Sequence, residues 1–259
     1  MHSKKKPQDN TSWEQAEPWY NSCVGEKGHY YHQSLIIPSS LRMLGISEKS
    51  TGSLLDLGCG QGVLARHLPK GIDYVGIDAS ASLIRNAVKE TKGPHRKFLT
   101  ADVTEPLSLP KKDFDRAIFI LSLQNMEDAK KALANASEHM KKKGELLLVL
   151  NHPCFRIPRQ SDWGVDEKAH LQYRRMNVYM SPLKIPIQTH PGQGKQSTNT
   201  YSFHHPLSYY VSLLAEESLF ISGMEEWCSD KQSEGGRARI ENRARKEFPL
   251  FLALKAIKQ

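Results

Sequence analysis

The chain has 259 residues, a formal net charge of +8 and hydrophobic residues at 39% of its positions. This composition supports a buried core and argues against wholesale disorder, and no apolar run approaches the roughly 20 residues that span a bilayer. The four cysteines (Cys23, Cys59, Cys154 and Cys228) are too dispersed for a zinc site or a disulfide framework, so we expect no metal. The basic N-terminus lacks the apolar stretch of a secretory signal, so we expect a cytoplasmic protein.

The first 151 residues change from an irregular pattern to a regular one. Residues 1–50 are aromatic-rich, with a predicted helix at 32–44, in which Pro38 indicates either a break or a helix that starts near Ile37. Strands and helices then alternate, which indicates parallel βαβ units. The predicted strands are 53–57, 74–78, 97–101, 114–121 and 145–151, and the predicted helices are 61–68, 80–91 and 128–140.

The remaining residues begin with a long stretch that has little periodicity. Residues 152–205 are rich in Pro, Gly, His and Tyr and are too many for a plain connection, so we expect a functional insertion. Beyond it the pattern predicts a helix at 206–218, a strand at 220–227, a surface helix or loop at 229–246 and a last strand at 249–256. We therefore divide the chain into an N-terminal lid (1–50), a ligand-binding core (51–151), a substrate cap (152–205) and a C-terminal part of the core sheet (206–259).

The sharpest motif is a glycine loop that follows the first strand of this core. It reads Leu54-Leu55-Asp56-Leu57-Gly58-Cys59-Gly60-Gln61-Gly62. Glycines at these positions let the backbone turn tightly and approach a ligand. The loop lacks the Lys and Ser/Thr of a P-loop, and its GxGxG spacing differs from the GxGxxG of dinucleotide sites. Asp56 would repel a phosphate and attract an ammonium group, which favours an adenosine ligand without a pyrophosphate.

Two further acids end the next two strands. Asp78 lies 18 residues after Gly60, where a carboxylate can accept both hydroxyls of a ribose. The alternative is that Asp78 caps the following helix. Asp102 ends the third predicted strand, also at the edge where open α/β sheets bind ligands, and the alternative there is a turn residue.

These motifs resemble those of class I S-adenosylmethionine-dependent methyltransferases. The likeness covers residues 53–151 and rests on the glycine loop, Gly76–Asp78, Ala101–Val103, Phe114–Gln124 and Lys143–Leu148. Outside that core, residues 24–32, 152–155, 203–208 and 243–252 resemble one subgroup of the type 11 methyltransferases. The resemblance implies a Rossmann-like α/β fold with helices on both faces of a seven-stranded, mostly parallel sheet of order 3-2-1-4-5-7-6.

The resemblance also implies the cofactor, S-adenosyl-L-methionine, with S-adenosyl-L-homocysteine as product, and the residues that hold it. It assigns Gly58, Cys59 and Gly60 to the methionine part, Asp56 to its amino group, Asp78 and Ala79 to the ribose, Asp102 and Val103 to the adenine, and the Leu121 carbonyl to the amino group.

The methyl acceptor is less clearly marked by the sequence. His152, His204 and Tyr31 are candidate general bases, with His32, His205 and Tyr30 as further candidates, and each is equally a structural or surface residue. The loop after the fourth strand reads Leu121-Ser122-Leu123-Gln124, which lacks the Pro-Pro-Tyr/Phe sequence of DNA and protein amide methyltransferases. That loop also lacks the Pro-Cys that would accompany catalysis by Cys154.

We expect transfer to an oxygen, nitrogen or carbon atom of a small molecule. Two alternatives stay open. One is an RNA or protein methyltransferase that uses a basic surface, such as Arg174–Arg175 or residues 237–246, and the other is a non-catalytic cofactor-binding protein. A closed aromatic pocket would favour the small molecule, and a positive stripe that reaches the cofactor would favour RNA. The sequence does not indicate an oligomeric state.

Overall fold

The computed structural model describes residues 13–14, 28–109, 111–188 and 199–259. Cys23, residues 24–27 and part of the aromatic-rich N-terminal stretch, which includes Trp19 and Tyr20, lie outside this part. The described strands are β1 (Gly52–Leu57), β2 (Ile72–Asp78), β3 (Arg96–Thr100), β4 (Phe114–Ile120), β5 (Met140–Asn151), β6 (Ser161–Asp166), β7 (Leu171–Met176), β8 (Leu183–Gln188), β9 (Asn199–His204), β10 (Leu219–Trp227) and β11 (Phe251–Lys258). The described α-helices are α1 (Ile37–Met43), α2 (Ala81–Glu90), α3 (Ala129–His139), α4 (Leu207–Glu216) and α5 (Ala238–Glu247).

Seven of these strands form one sheet of order β10-β11-β5-β4-β1-β2-β3. Strands β1 to β5 pair in parallel, and β11 pairs antiparallel with both β5 and β10. When β6 to β9 are left out of the count, the order is 3-2-1-4-5-7-6, which confirms the predicted Rossmann-like α/β class. The carboxyl ends of β1 to β5 therefore meet at one edge, where such sheets bind ligands.

The central strand β1 is apolar because both faces of the sheet are covered. Leu54 packs with Ile37 of α1 on one face. Leu55 and Leu57 pack with Leu133 of α3 on the other face. Because successive side chains of a strand point to opposite faces, a continuous apolar run fills both cores. The rigid centre of the sheet thus holds the loop that follows β1 in place.

One prediction about an individual element is wrong. The expected helix at 61–68 is only a 3-10 turn at Leu64–His67. Gly58, Gly60 and Gly62 have φ values of 77°, 55° and 72°, so the backbone cannot enter a right-handed helix before residue 63, and Pro69 closes the segment. The helix predicted at 32–44 starts a new segment at Ile37, as the alternative reading of Pro38 predicts. A π-helical turn at His32–Ile36 precedes α1, and Pro38 lies in the first turn of α1.

The 152–205 region is more regular than its sequence indicates. It forms two antiparallel hairpins, β6 with β7 and β8 with β9. Both faces of β6 and β7 carry polar or charged residues, so their sequences lack the period-two alternation that predicts a half-buried strand. Among the described residues, none of the helices is long and apolar enough to cross a membrane.

Candidate cofactor and acceptor site

The glycine loop is fixed to the neighbouring strand by its own backbone. The N–H groups of Gly58 and Cys59 both donate to the carbonyl of Ile77, at 2.8 and 2.9 Å. A Cβ on Gly58 would lie 2.4 Å from the Cβ of Ser122, whose hydroxyl donates to the Leu57 carbonyl at 2.7 Å. Both the positive φ and this close approach require glycine at position 58.

Asp78 lies at the end of β2 with both carboxylate oxygens engaged. Its Oδ2 accepts from the Gly60 N–H and its Oδ1 from the Ser80 N–H, both at 2.9 Å. Burial raises the pKa of Asp78. The hydrogen bonds from the two N–H groups lower this pKa, and the negative charge of Glu14 raises it further. The carboxylate is therefore held in one orientation at the cavity wall, and the capping alternative from the sequence is not its main role, because the Ser80 hydroxyl caps α2 by accepting from Leu83 N–H at 3.2 Å.

Asp56 lies beneath the loop. It is 2% exposed, and the Tyr74 hydroxyl donates to its Oδ2 at 2.7 Å. Burial raises the pKa of Asp56 to about 7, against the opposing effect of the Tyr74 hydrogen bond. Asp56 and Cys59 do not line the cavity described below, so any effect of Asp56 on a ligand acts from behind the loop.

The other two predicted contact points lie on loops at the same edge. Leu121, just after β4, has a φ of 52°, which is rare for a residue other than glycine and marks a constrained site. Its carbonyl accepts from the side-chain amide of Asn125 at 3.1 Å. Asp102 forms a turn by accepting from the N–H and hydroxyl of Thr104 at 2.9 and 2.7 Å, and Val103 beside it is buried.

One cavity of about 1300 Å³ joins these elements at the carboxyl edge of the sheet. One part of its wall carries the predicted cofactor residues Gly58, Gly60, Asp78, Ala79, Asp102, Val103 and Leu121. Other parts carry Tyr31, Arg156 and Phe251, and Ile187 and Ser202 come from the β8–β9 hairpin. Within the described residues, no group of three or more His, Cys, Asp or Glu side chains is arranged to hold a metal.

The fold and the loop geometry agree with comparisons to known proteins. Residues 55–148 match the sequence model of a family described as "Methyltransferase domain". Over residues 55–148, this chain matches a methyltransferase domain. The resemblance inferred from the glycine loop and the two acids is thereby confirmed.

Relatives of the methyltransferase domain are found among curated proteins and solved structures. An uncharacterized methyltransferase of Mycobacterium tuberculosis is 32% identical over 100 residues, which are 38% of this chain and 50% of that protein. The chain thus matches half the length of that curated relative. An S-adenosylmethionine-dependent methyltransferase from Mesorhizobium loti superposes with a TM-score of 0.64 at 22% identity, over 85% of this chain and 96% of that one. The glycopeptide N-methyltransferase MtfA, solved with S-adenosyl-L-methionine, gives a TM-score of 0.56 at 15% identity, over 86% and 94%.

Of the three candidate bases around the methyltransferase domain, only Tyr31 lines the cavity. The hydroxyl of Tyr31 is 2.8 Å from that of Ser229. His152 is 1% exposed, its Nδ1 accepts from the Cys154 N–H at 3.2 Å, and its Nε2 lies 2.7 Å from Glu226. With both ring nitrogens bonded away from the cavity, His152 is not placed as a base.

His204 is also turned away from the cavity. Its Nε2 donates to the carbonyl of Tyr179 at 2.7 Å, and burial lowers its pKa. The expectation that either His152 or His204 faces an acceptor is therefore corrected. Sequence position put both near the sheet edge, but the direction of a ring depends on partners far away in the chain.

Three cavity residues near the methyltransferase domain were not assigned from the sequence. Glu14 accepts from the Ser80 hydroxyl at 2.7 Å and from Ser82 N–H at 3.0 Å, which places Glu14 at the start of α2. His29 and Arg156 also line the cavity. Glu14 and His29 lie in irregular sequence, where no periodic pattern marks them. Arg156 follows β5 closely, and its position near the carboxyl edge of the sheet is a signal from which the sequence could have predicted it as a ligand contact.

Proposed function

We propose that the whole chain is an S-adenosylmethionine-dependent methyltransferase that acts on a small-molecule acceptor. The observation that carries the proposal is the single cavity that joins the Gly58–Asp78 wall to the Tyr31–Arg156 wall. Its volume of about 1300 Å³ exceeds the roughly 300–1000 Å³ of a typical single-ligand pocket. There is room for a cofactor and an acceptor side by side.

The residues on the first wall fit the predicted cofactor. Gly58 and Gly60 have positive φ values and no side chains, so a ligand can approach the backbone of the loop closely. The oriented Asp78 carboxylate can accept hydrogen bonds from the two hydroxyls of a ribose. We propose that Asp102 and Val103 contact the adenine and that the Leu121 carbonyl accepts a hydrogen bond from the amino group; all three residues line the cavity. When bound, the cofactor supplies a methyl group already activated by its sulfonium.

The task left to the protein is alignment and exclusion of water. We propose that the N-terminal lid and the 152–205 cap align the two ligands and exclude water. Trp13 and Glu14 of the lid line the cavity, and so do Ile187 and Ser202 of the cap. Among the histidines, His32 lines the cavity with a buried Nδ1 that has no partner among the described residues. Burial lowers the pKa of His32 to about 4, so this ring is neutral near pH 7. It can accept a hydrogen bond from the molecule to be methylated more readily than it can remove a proton from it.

Two of the basic residues expected of an RNA methyltransferase, Arg174 and Arg237, have other partners in the fold. Arg174 donates to the Phe155 carbonyl and the Ser161 hydroxyl, both at 2.8 Å, and its guanidinium lies over the Trp163 ring. Arg237 pairs with Glu167 at 2.6 Å. Because these cations are already used within the protein, they support the small-molecule acceptor over RNA.

The test is transfer of a labelled methyl group. The protein would be incubated with methyl-labelled S-adenosylmethionine and, separately, with the small-molecule, RNA and protein fractions of a cell extract. We expect label in the small-molecule fraction, and none with Asp78→Ala. Label in RNA or protein would contradict the small-molecule acceptor and identify a macromolecular one. Binding of the cofactor without transfer to any fraction would favour the non-catalytic alternative.

A further inference from the structure

The turn after β5 presents an arginine to the cavity. The N–H groups of Phe155 and Arg156 both donate to the His152 carbonyl, at 3.2 and 2.7 Å. His152 itself is anchored by its N–H to the Leu250 carbonyl at 2.9 Å and by its ring to Glu226. The backbone of Arg156 is therefore held by a buried histidine that is bonded to β10 and to Leu250, the residue before β11.

The guanidinium of Arg156 has no carboxylate partner among the described residues. Its Nη1 is buried and makes no hydrogen bond there. The group lies 5.2 Å from the centre of the Phe251 ring, which offers a cation–π contact. The neighbouring charged groups are Arg174, which repels it, and Tyr31, whose hydroxyl is neutral at ordinary pH. Arg156 is half-buried, and burying a guanidinium nitrogen without a partner is costly unless a ligand completes it.

Arg156 also connects the large cavity to a smaller one. The smaller cavity has a volume of about 280 Å³, and Arg156 and Tyr31 line both. Aromatic rings surround the smaller space, with Trp163 and Phe248 at a centroid distance of 5.4 Å and Phe155 and Phe248 at 5.7 Å. The second arginine of this space, Arg174, already donates two of its hydrogen bonds to the protein.

From this geometry we infer that the methyl acceptor is an anionic molecule whose carboxylate or phosphate group binds Arg156, with its apolar body against the aromatic rings. A planar guanidinium with free donors matches both anions, because both present two oxygens to a fork of N–H groups. The inference rests on the proposed function and names the substrate class for the same site.

The test uses three small probes that share a phenyl ring and differ in the polar group on it: benzoate, phenyl phosphate and the uncharged benzyl alcohol. Their affinities would be measured by saturation-transfer NMR in the empty protein and in the protein loaded with S-adenosylhomocysteine. We expect one or both anions to bind, about tenfold or more tightly than the alcohol. The better of the two anions identifies the group as carboxylate or phosphate.

Arg156→Met keeps an apolar side chain against Phe251 and removes the charge. It should weaken anion binding about tenfold or more while leaving S-adenosylhomocysteine affinity unchanged. Because the Arg156 guanidinium has no carboxylate partner among the described residues, the Tm of Arg156→Met should equal or exceed that of the wild type. Arg156→Lys should bind the anions with intermediate affinity, and Arg175→Gln, at an exposed arginine of β7, should behave as wild type.

Three results would overturn the inference: no anion binding by the wild type, benzyl alcohol binding as tightly as the anions, or wild-type anion affinity in Arg156→Met. A large loss of Tm in Arg156→Met would also overturn it, because the guanidinium would then have a structural partner. Failure of S-adenosylhomocysteine to bind would instead overturn the proposed function, and the titrations of the empty protein would still decide the role of Arg156.

Discussion

The Oδ2 atom of Asp78 lies 2.9 Å from the backbone nitrogen of Gly60 and accepts its hydrogen bond. The two residues are 18 positions apart, at the ends of the adjacent strands β2 and β1. This bond links the glycine loop to the acid before any ligand arrives. The two parts of the predicted cofactor site are thus one preformed unit, and changes to either should affect both binding and stability.

Gly58 should be the least replaceable residue of the loop. An alanine Cβ there would lie 2.4 Å from the Cβ of Ser122, on a backbone with a φ of 77°. We expect Gly58→Ala to cost on the order of 3 kcal/mol or more of unfolding free energy, since strain and overpacking add. Thermal denaturation would measure it.

The matched control for this change is Gly45→Ala. Gly45 has a φ of 61°, and an added Cβ would meet nothing within 4 Å. Only the backbone strain of about 1 kcal/mol should appear. Equal losses of Tm in the two variants would show that contact with Ser122 is unimportant.

Asp56 should make stability depend on pH in a defined direction. Its pKa is raised to about 7 by burial, so the folded protein binds this proton more tightly than the unfolded chain does. The stabilising contribution of the proton is complete below the ordinary pKa of 3.8 and is lost as the pH rises through about 7. We therefore expect Asp56→Asn to raise Tm relative to the wild type, with a gain that grows from pH 4 to pH 7 and is constant above pH 8.

Tyr74→Phe provides the second arm of this experiment. The hydroxyl of Tyr74 donates to Asp56 and stabilises its charged form. Its removal should move the destabilising transition to higher pH. A Tm difference between Asp56→Asn and wild type that does not vary with pH would contradict this description of Asp56.

His152 should act as a structural residue. We expect His152→Ala to cost about 1–3 kcal/mol, because the Cys154 N–H and the Glu226 carboxylate lose their partner. Cofactor affinity should be unchanged, because His152 does not line the cavity. Glu226→Gln, whose carbonyl still accepts from Nε2–H, should keep a Tm close to that of the wild type. Loss of cofactor binding in His152→Ala with an unchanged Tm would contradict the structural role.

The parts of the fold that could be predicted from the sequence have local signals. Buried strands, the glycine loop and Asp78 are each marked within a few residues, and parallel strands must bring their carboxyl ends to one edge. Glu14 reaches Ser80 and Ser82 across 66 and 68 positions, and no local pattern indicates such a contact. His152 was placed at the correct edge, but its ring turns to Glu226, 74 residues later.

The central claim is tested most directly by calorimetric titration of S-adenosylmethionine and S-adenosylhomocysteine at one pH near 7.5. Three proteins would be compared: the wild type, Asp78→Ala and Asp73→Ala, the last at an exposed acid near the other end of β2. We expect the wild type and Asp73→Ala to bind both ligands with similar affinity, and Asp78→Ala to bind at least about tenfold more weakly. Absence of binding to the wild type, or equal binding by Asp78→Ala, would contradict the assignment of this cavity to the methyl donor.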